Sequence, residues 1–155
     1  MFHLCSKIKT HYGNGMSIIA PYIGGMQSLP DIDQFASLAE DAFNELPDGF
    51  RKMCGNVSIR ISDFADKEVL GHFGITNPYQ LSGLYSGVDL TRKSFGDPQV
   101  FPDQVWLYRL PILREWMDRG DVSLKFLIAH VLVHEIGHHF GLSDDDMHEI
   151  EDSAG

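Results

Sequence analysis

The chain has 155 residues, of which 43% are hydrophobic and 22% charged, as expected for one globular domain that buries its own core. Twelve lysines and arginines against 22 aspartates and glutamates give a net charge of −10, which repels nucleic-acid phosphates and anionic lipids. No apolar run reaches the roughly 18 residues of a membrane span. We therefore expect neither a nucleic-acid nor a membrane partner. Cys5 and Cys54 form no metal-type pair, which favours a reduced, cytoplasmic compartment.

The first 27 residues lack the periodic apolar pattern of a helix or strand. The stretch from Met16 to Met26 imitates a signal-peptide core, but Pro21 and Gly24-Gly25 interrupt it and no clear small-residue cleavage site follows. We expect residues 1–27 to form a poorly ordered N-terminal extension, and residues 28–155 to form the domain.

Three elements are predicted in the first half of the domain from capping signals and apolar periodicity. They are a helix that stops at 47–49, a half-exposed strand over 56–62, and a short helix over 63–70. The first helix begins at a capping signal over residues 28–31, in which Ser28 can cap and Asp31 completes a capping box. The second half begins with an irregular stretch over residues 71–103, in which a short strand near Leu84–Val88 is expected to border a site. An apolar strand over Gln104–Leu110 and a helix from Pro111 to Gly120 follow.

The helix predicted over about Val122–Phe140 is apolar nearly all round, as a helix at the centre of a small domain should be. It carries His134 and His138, whose spacing of four residues places both imidazoles on one face, where they can chelate one zinc ion. Glu135 is the neighbour that can reach a metal-bound water. Buried imidazoles and carboxylates are costly without partners. The sequence therefore predicts Zn²⁺ as the cofactor and Glu135 as the catalytic residue.

The third ligand is predicted to follow the helix. Gly141 lets the chain leave the helix in a left-handed conformation, and Asp144, three residues later, is then well placed to bind the metal. Two alternatives stay open. Asp144 can instead favour the start of a last helix, which Ser143 and Asp146 would open as a capping box. His148, one turn further on, is the main rival as ligand.

Other polar residues near the motif receive structural interpretations. His130 and His139 are left out of the ligand set, because a histidine on an apolar helix more often packs or supports a ligand than binds the metal. Tyr85 and Tyr108 are candidates for stabilising an oxyanion, but a tyrosine in an apolar segment more often serves packing.

The stretch from His134 to Asp144 reads H-E-I-G-H-H-F-G-L-S-D. It resembles the H-E-x-x-H-x-x-G-x-x-D pattern of the small bacterial zincin-like metallopeptidases, or minimal zincins. Segments Leu84–Arg92 and Val105–Ile112 are similar to two other recurrent segments of that family, and the similarity spans about residues 31–152. The resemblance implies a single-domain α+β fold in which a small β-sheet packs on a central zinc-binding helix. It also implies hydrolysis of a peptide or protein substrate.

In the mechanism that the resemblance implies, zinc bound by His134, His138 and Asp144 would keep a fourth position for water and lower the pKa of that water toward about 7. Glu135 takes the proton from the water and later delivers it to the leaving amine. In zincins generally, substrate lies along an exposed sheet edge. The strand Gln104–Leu110 is the candidate for that edge, although its apolar faces also suit a core strand.

A second hypothesis is a non-catalytic interaction module with a structural zinc site. Residues 143–155 hold six acidic residues and no lysine or arginine, so this tail would bind a basic partner. A structural zinc normally has four protein ligands, which requires His148 or another side chain beside Asp144. Glu135 argues against the module, because a closed site has no use for a glutamate directly after its first ligand.

Overall fold

The computed structural model describes the backbone of Phe2–His3 and residues 28–87 and 103–154. This part of the chain forms one α+β unit, as predicted. Its helices are α1 (Ile32–Asn44), α2 (Asp48–Cys54), α3 (Lys67–His72), α4 (Arg109–Arg119), α5 (Leu124–His139) and α6 (Asp144–Ser153), with a 3-10 turn at Pro78–Gln80. Its strands are β1 (Phe2–His3), β2 (Ser58–Ser62), β3 (Gly83–Ser86) and β4 (Gln104–Tyr108).

The four strands form a mixed sheet in the order β1-β3-β4-β2. Strands β2 and β4 are parallel, with Ile59 opposite Val105, and β3 and β4 are antiparallel, with Tyr85 also opposite Val105. Strand β4 is therefore paired along both sides, and Val105 and Leu107 are fully buried. The prediction that the strand at 104–110 is an exposed edge for substrate is wrong, because β2 and β3 occupy both of its edges. Its apolar faces belong to the core.

The predicted extension over residues 1–27 lies outside the described residues, apart from the backbone of Phe2–His3. These two residues pair antiparallel with Ser86 and Tyr85 of β3. The poor order of residues 1–27 stays a prediction. The predicted segment around Leu84–Val88 contains β3, and residues 88–102 also lie outside the described residues.

Helix α1 forms where the sequence predicts it, but the residue that caps it differs. The carboxylate of Asp31 accepts a hydrogen bond from Gln34 N at 2.8 Å, and Gln34 Oε1 accepts one from Asp31 N at 3.0 Å. Asp31 is thus the N-cap of a full capping box, instead of Ser28. The helix buries Phe35 and Ala39 against the core.

The sequence pattern does not predict helix α2, because Pro47-Asp48-Gly49 is a typical helix stop. Pro47 is in fact the N-cap residue of α2, and Asp48 lies in its first turn. Proline is common both at the start of a helix and just after the end of one, and an acidic residue favours the first turn of a helix. The same short segment therefore ends one helix and begins the next, and Phe50 and Cys54 of α2 join the core.

Helix α5 lies at the centre of the domain, in contact with α1, α4, α6 and strands β1, β3 and β4. Ser123 caps it by accepting a hydrogen bond from Phe126 N. Its apolar residues are buried on several sides, as predicted for a central helix. In the part of the chain that the structure describes, no helix combines the length and the apolar character needed to cross a bilayer.

A tight turn joins α5 to α6. Gly141 adopts φ +75°, the left-handed conformation expected at the helix end, and Leu142 N donates to Gly137 O at 2.9 Å. The predicted capping box of Ser143 and Asp146 opens α6. A Cβ on Gly137 would lie 2.7 Å from Met147 Sδ, so α5 and α6 approach closely here. The turn and this contact hold α6 along the histidine-bearing side of α5.

Gly83 marks the close approach of β3 to α5. A Cβ there would lie 2.7 Å from Val131 Cγ1, 3.0 Å from Glu135 Cγ and 3.2 Å from Trp106 O. We predict that Gly83→Ala lowers the free energy of unfolding by about 1–3 kcal/mol, because overpacking forces neighbouring groups apart. Urea denaturation measures the change. Gly71→Ala in α3 is the control, since open space surrounds that position, and it should not destabilise the domain. Equal effects of the two substitutions would contradict the account.

Candidate metal centre

Three histidines four residues apart form a row along α5, which we call the histidine row: His130, His134 and His138. The ring centroids of His130 and His134 are 4.2 Å apart, and those of His134 and His138 are 5.7 Å apart. All three side chains are partly buried. The helix thus brings together the two histidines that the sequence predicts as ligands, and adds a third one turn earlier.

Glu151 of α6 lies against this row. Its Oε1 is 2.9 Å from His130 Nδ1 and 3.3 Å from His134 Nε2, and the residue is only 8% exposed. The ligand atoms that His130, His134 and Glu151 offer lie within 4.8 Å of one another. Among the described residues, this is the one group of three or more histidine, cysteine or acidic side chains close enough to hold a metal ion.

Three buried atoms of this group lack an aligned hydrogen bond within the described part of the chain. They are His130 Nε2, His134 Nε2 and Glu151 Oε1. A buried polar atom without a hydrogen bond is destabilising, and coordination to a cation removes that cost. Imidazole nitrogen and carboxylate oxygen are both common zinc ligands. The residues present therefore fit the metal that the sequence predicts.

The electrostatics of Glu151 favour its charged form. Burial raises the pKa of the carboxyl, but the close contacts with His130 and His134 and their charges outweigh burial and lower the pKa to about 2. The carboxylate is therefore ionised near neutral pH, which is the form that binds a cation.

Glu135 lies on a different side of α5, toward the sheet. It is fully buried, and its Oε2 accepts a hydrogen bond from the backbone N of Tyr85 in β3 at 3.2 Å. The glycine at position 83 leaves room for its side chain, since a Cβ there would lie 3.0 Å from Glu135 Cγ. Glu135, which follows the predicted ligand His134, is thus fixed between α5 and β3.

The two candidates for third ligand both belong to α6. Asp144 is the exposed first residue of the helix. His148 is exposed too, with its ring centroid 6.5 Å from that of His134. Neither belongs to the group formed by His130, His134 and Glu151. The choice of Asp144 as ligand stays a prediction.

The sequence analysis does not predict Glu151 or His130 as metal ligands, although the sequence contains a signal for each of them. His130 repeats the spacing of His134 and His138 one turn earlier. On α6, the half-buried or buried positions recur at helical spacing and include Glu151: Met147, Ile150, Glu151 and Ala154. A glutamate on the inner face of a helix needs a partner, and the histidine row supplies it.

Tyr85 and Tyr108, the candidates for an oxyanion donor, are both buried. The hydroxyl of Tyr85 donates a hydrogen bond to Asp103 Oδ2 at 2.7 Å. The ring of Tyr85 stacks on that of His139, with the two ring centroids 3.9 Å apart. Burial, and secondly Asp103, raise the pKa of Tyr85. Burial, and then the charges of Asp66 and Glu135, raise the pKa of Tyr108 to about 12. Both side chains are neutral phenols, and the hydroxyl of Tyr85 is engaged by Asp103.

The fold and the site together define a zincin type of protein: a small mixed sheet lies beside a buried helix that carries the H-E-x-x-H sequence and side chains able to hold a metal ion. Comparison with protein families agrees. The family model described as zincin-like metallopeptidase matches residues 54–154, and the chain belongs to that family. The matched region runs from the end of α2 to the end of α6 and contains every candidate site residue. A search of curated proteins gives no match.

The hydrogen bond between Tyr85 and Asp103 yields a prediction about stability. Tyr85→Phe removes the hydroxyl and keeps the ring on His139, so it should lower the free energy of unfolding by about 0.5–1.5 kcal/mol. Thermal or urea denaturation measures the loss. Tyr79→Phe is the matched control, because that tyrosine is 43% exposed and its hydroxyl makes no hydrogen bond with the described residues. An unchanged stability for Tyr85→Phe would contradict this role of the hydroxyl.

Proposed function

We propose that this chain is a zinc-dependent metallopeptidase that hydrolyses peptide bonds in a peptide or protein substrate. One observation carries the proposal: a chain of the zincin-like metallopeptidase family holds His134 of its H-E-x-x-H helix with Nε2 buried and without an aligned hydrogen bond among the described residues. A buried imidazole nitrogen left in this way is a ligand prepared for a cation. The net charge of −10 disfavours nucleic acid as substrate.

We assign zinc to His134, His138 and Asp144. The two imidazoles are neighbours on α5, and the turn at Gly141 brings the start of α6 back after the helix. When bound there, zinc supplies a Lewis acid for the substrate carbonyl and makes water more acidic. Three protein ligands leave one position open, which distinguishes a catalytic site from a structural one.

Glu135 is the general base and acid of the proposal. It follows His134 directly, and the hydrogen bond from Tyr85 N fixes one of its oxygens. A fixed carboxylate loses little freedom when it accepts a proton from the attacking water and returns it to the departing amine. Its burial excludes bulk water and strengthens its interactions with nearby charge. Glu135 therefore serves proton transfer, while the histidines serve metal binding.

The role of Glu135 is tested by Glu135→Gln. This variant should keep the fold and the bound zinc, because the residue is no ligand, and should lower the rate of hydrolysis by about 10²–10⁴-fold. Zinc content and turnover of a peptide selected from a broad library are measured on the same samples. Glu149→Gln, at an exposed position of α6, controls for the loss of one charge. Zinc-loaded wild type that cleaves no peptide in the library would contradict the proposed function.

The ligand assignment is tested by comparing Asp144→Ala with His148→Ala. Loss of a ligand should lower kcat/KM by more than about 100-fold, beyond the 10–100-fold typical of residues that only support ligands. We expect this loss in Asp144→Ala and near-normal kinetics in His148→Ala. The reverse pattern would make His148 the third ligand.

A further inference from the structure

The histidine row contains two chelating pairs, and only one of them belongs to the H-E-x-x-H sequence. His134 with His138 is the pair used in the proposed catalytic site. His130 with His134 has the same spacing of four residues, and its ring centroids are closer, at 4.2 Å against 5.7 Å. Residues four apart on a helix are neighbours on one face. His134 therefore has a possible partner on either side along the helix.

Helix α6 carries Asp144 at its start and Glu151 near its end. It lies antiparallel to α5, since Met147 contacts Gly137 while Glu151, one turn later, contacts His134 and His130. Asp144 and Glu151 are about two turns apart, as are the outer members of the histidine row. The start of α6 thus lies toward the His138 end of the row, and Glu151 lies against His130 and His134.

The distances among His130, His134 and Glu151 are close to those required by a tetrahedral ion. Bonds of about 2.0–2.1 Å at tetrahedral angles place neighbouring ligand atoms about 3.3 Å apart. Glu151 Oε1 is 3.3 Å from His134 Nε2 and 2.9 Å from His130 Nδ1. The three ligand atoms all lie within 4.8 Å of one another, so small side-chain rotations complete the geometry.

The side chains of this group are also buried or partly buried. Glu151 is 92% buried, and its Oε1 has no aligned hydrogen bond with any described residue. It points at two imidazoles that are themselves partly buried. Glu151 Oε1 and His134 Nε2 both lack a hydrogen bond among the described residues, and His130 Nδ1 lies 2.9 Å from the same carboxylate oxygen. A cation placed among these three atoms would satisfy the two that lack a hydrogen bond.

We propose that His130, His134 and Glu151 form a second divalent-metal site, which takes zinc or a similar transition metal. The site goes beyond the proposed peptidase function. Because both ligand sets use His134 Nε2, an ion in one set excludes an ion from the other. Glu135 is not one of its ligands, because Glu135 lies on the side of α5 that faces β3 and accepts a hydrogen bond from Tyr85 N there. Metal bound in the second site lowers the occupancy of the catalytic set, because the two sets share His134.

The test removes the ligands that are specific to the proposed catalytic set. In the double variant His138→Ala with Asp144→Ala, isothermal titration with Zn²⁺ should still show one ion per chain. Co²⁺ should give the visible absorption of a tetrahedral site. Adding Glu151→Gln should weaken Zn²⁺ binding by more than about 100-fold, beyond the effect of losing a supporting residue. Adding Glu149→Gln instead controls for the charge of the acidic helix and should leave the affinity unchanged.

Two results would overturn the second site: no metal bound by the double variant, or an affinity that neither Glu151→Gln nor His130→Gln lowers. Melting temperatures identify any variant that fails to fold. The conservative pair His138→Gln with Asp144→Asn then replaces the alanine pair. The readout is metal binding without hydrolysis, whereas the peptidase proposal is tested by turnover of wild type and Glu135→Gln. Failure of the second-site proposal therefore does not contradict the peptidase proposal, and the reverse is also true.

Discussion

The structure depends on one constraint: a helix buried on several sides carries ionisable side chains that need partners away from water. Helix α5 buries Leu127, Val131 and Ile136 in the core and, between them, carries the histidine row and Glu135. An apolar helix alone would be satisfied by packing. The polar side chains require hydrogen-bond donors, a carboxylate or a metal at fixed places around it. The neighbouring elements supply these groups from two sides.

The two sides of α5 have different chemistry. Strand β3 presents the backbone N–H of Tyr85 to Glu135, and Gly83 allows the close approach of strand and helix. Helix α6 presents the carboxylate of Glu151 to the histidines, and the turn at Gly141 returns the chain for that contact. In the proposed function, Glu135 and the metal ligands therefore lie on adjacent faces of one helix, so that proton transfer and metal binding are carried out by separate side chains.

Much of the fold could be predicted from local signals, and the failures have physical causes. The ends of α5 and the capping box of α6 depend on neighbouring residues, and the sequence predicts them. The position of β4 inside the sheet depends on which strands pair, which an apolar strand pattern does not reveal. The contact of Glu151 with the histidine row likewise depends on how α6 crosses α5. The H-E-x-x-H motif thus predicts metal binding from the sequence alone, whereas the contact of Glu151 with the histidine row becomes visible only in the packing of α6 on α5.

The most direct test of the account is a crystal structure of the chain with zinc, with the ion located by anomalous diffraction. We predict an ion bound by His134, His138 and Asp144, with Glu135 beside it as a non-ligand and one coordination position left to solvent. An ion enclosed by four protein ligands, or one bound away from α5, would contradict the claim that this helix carries a catalytic metal.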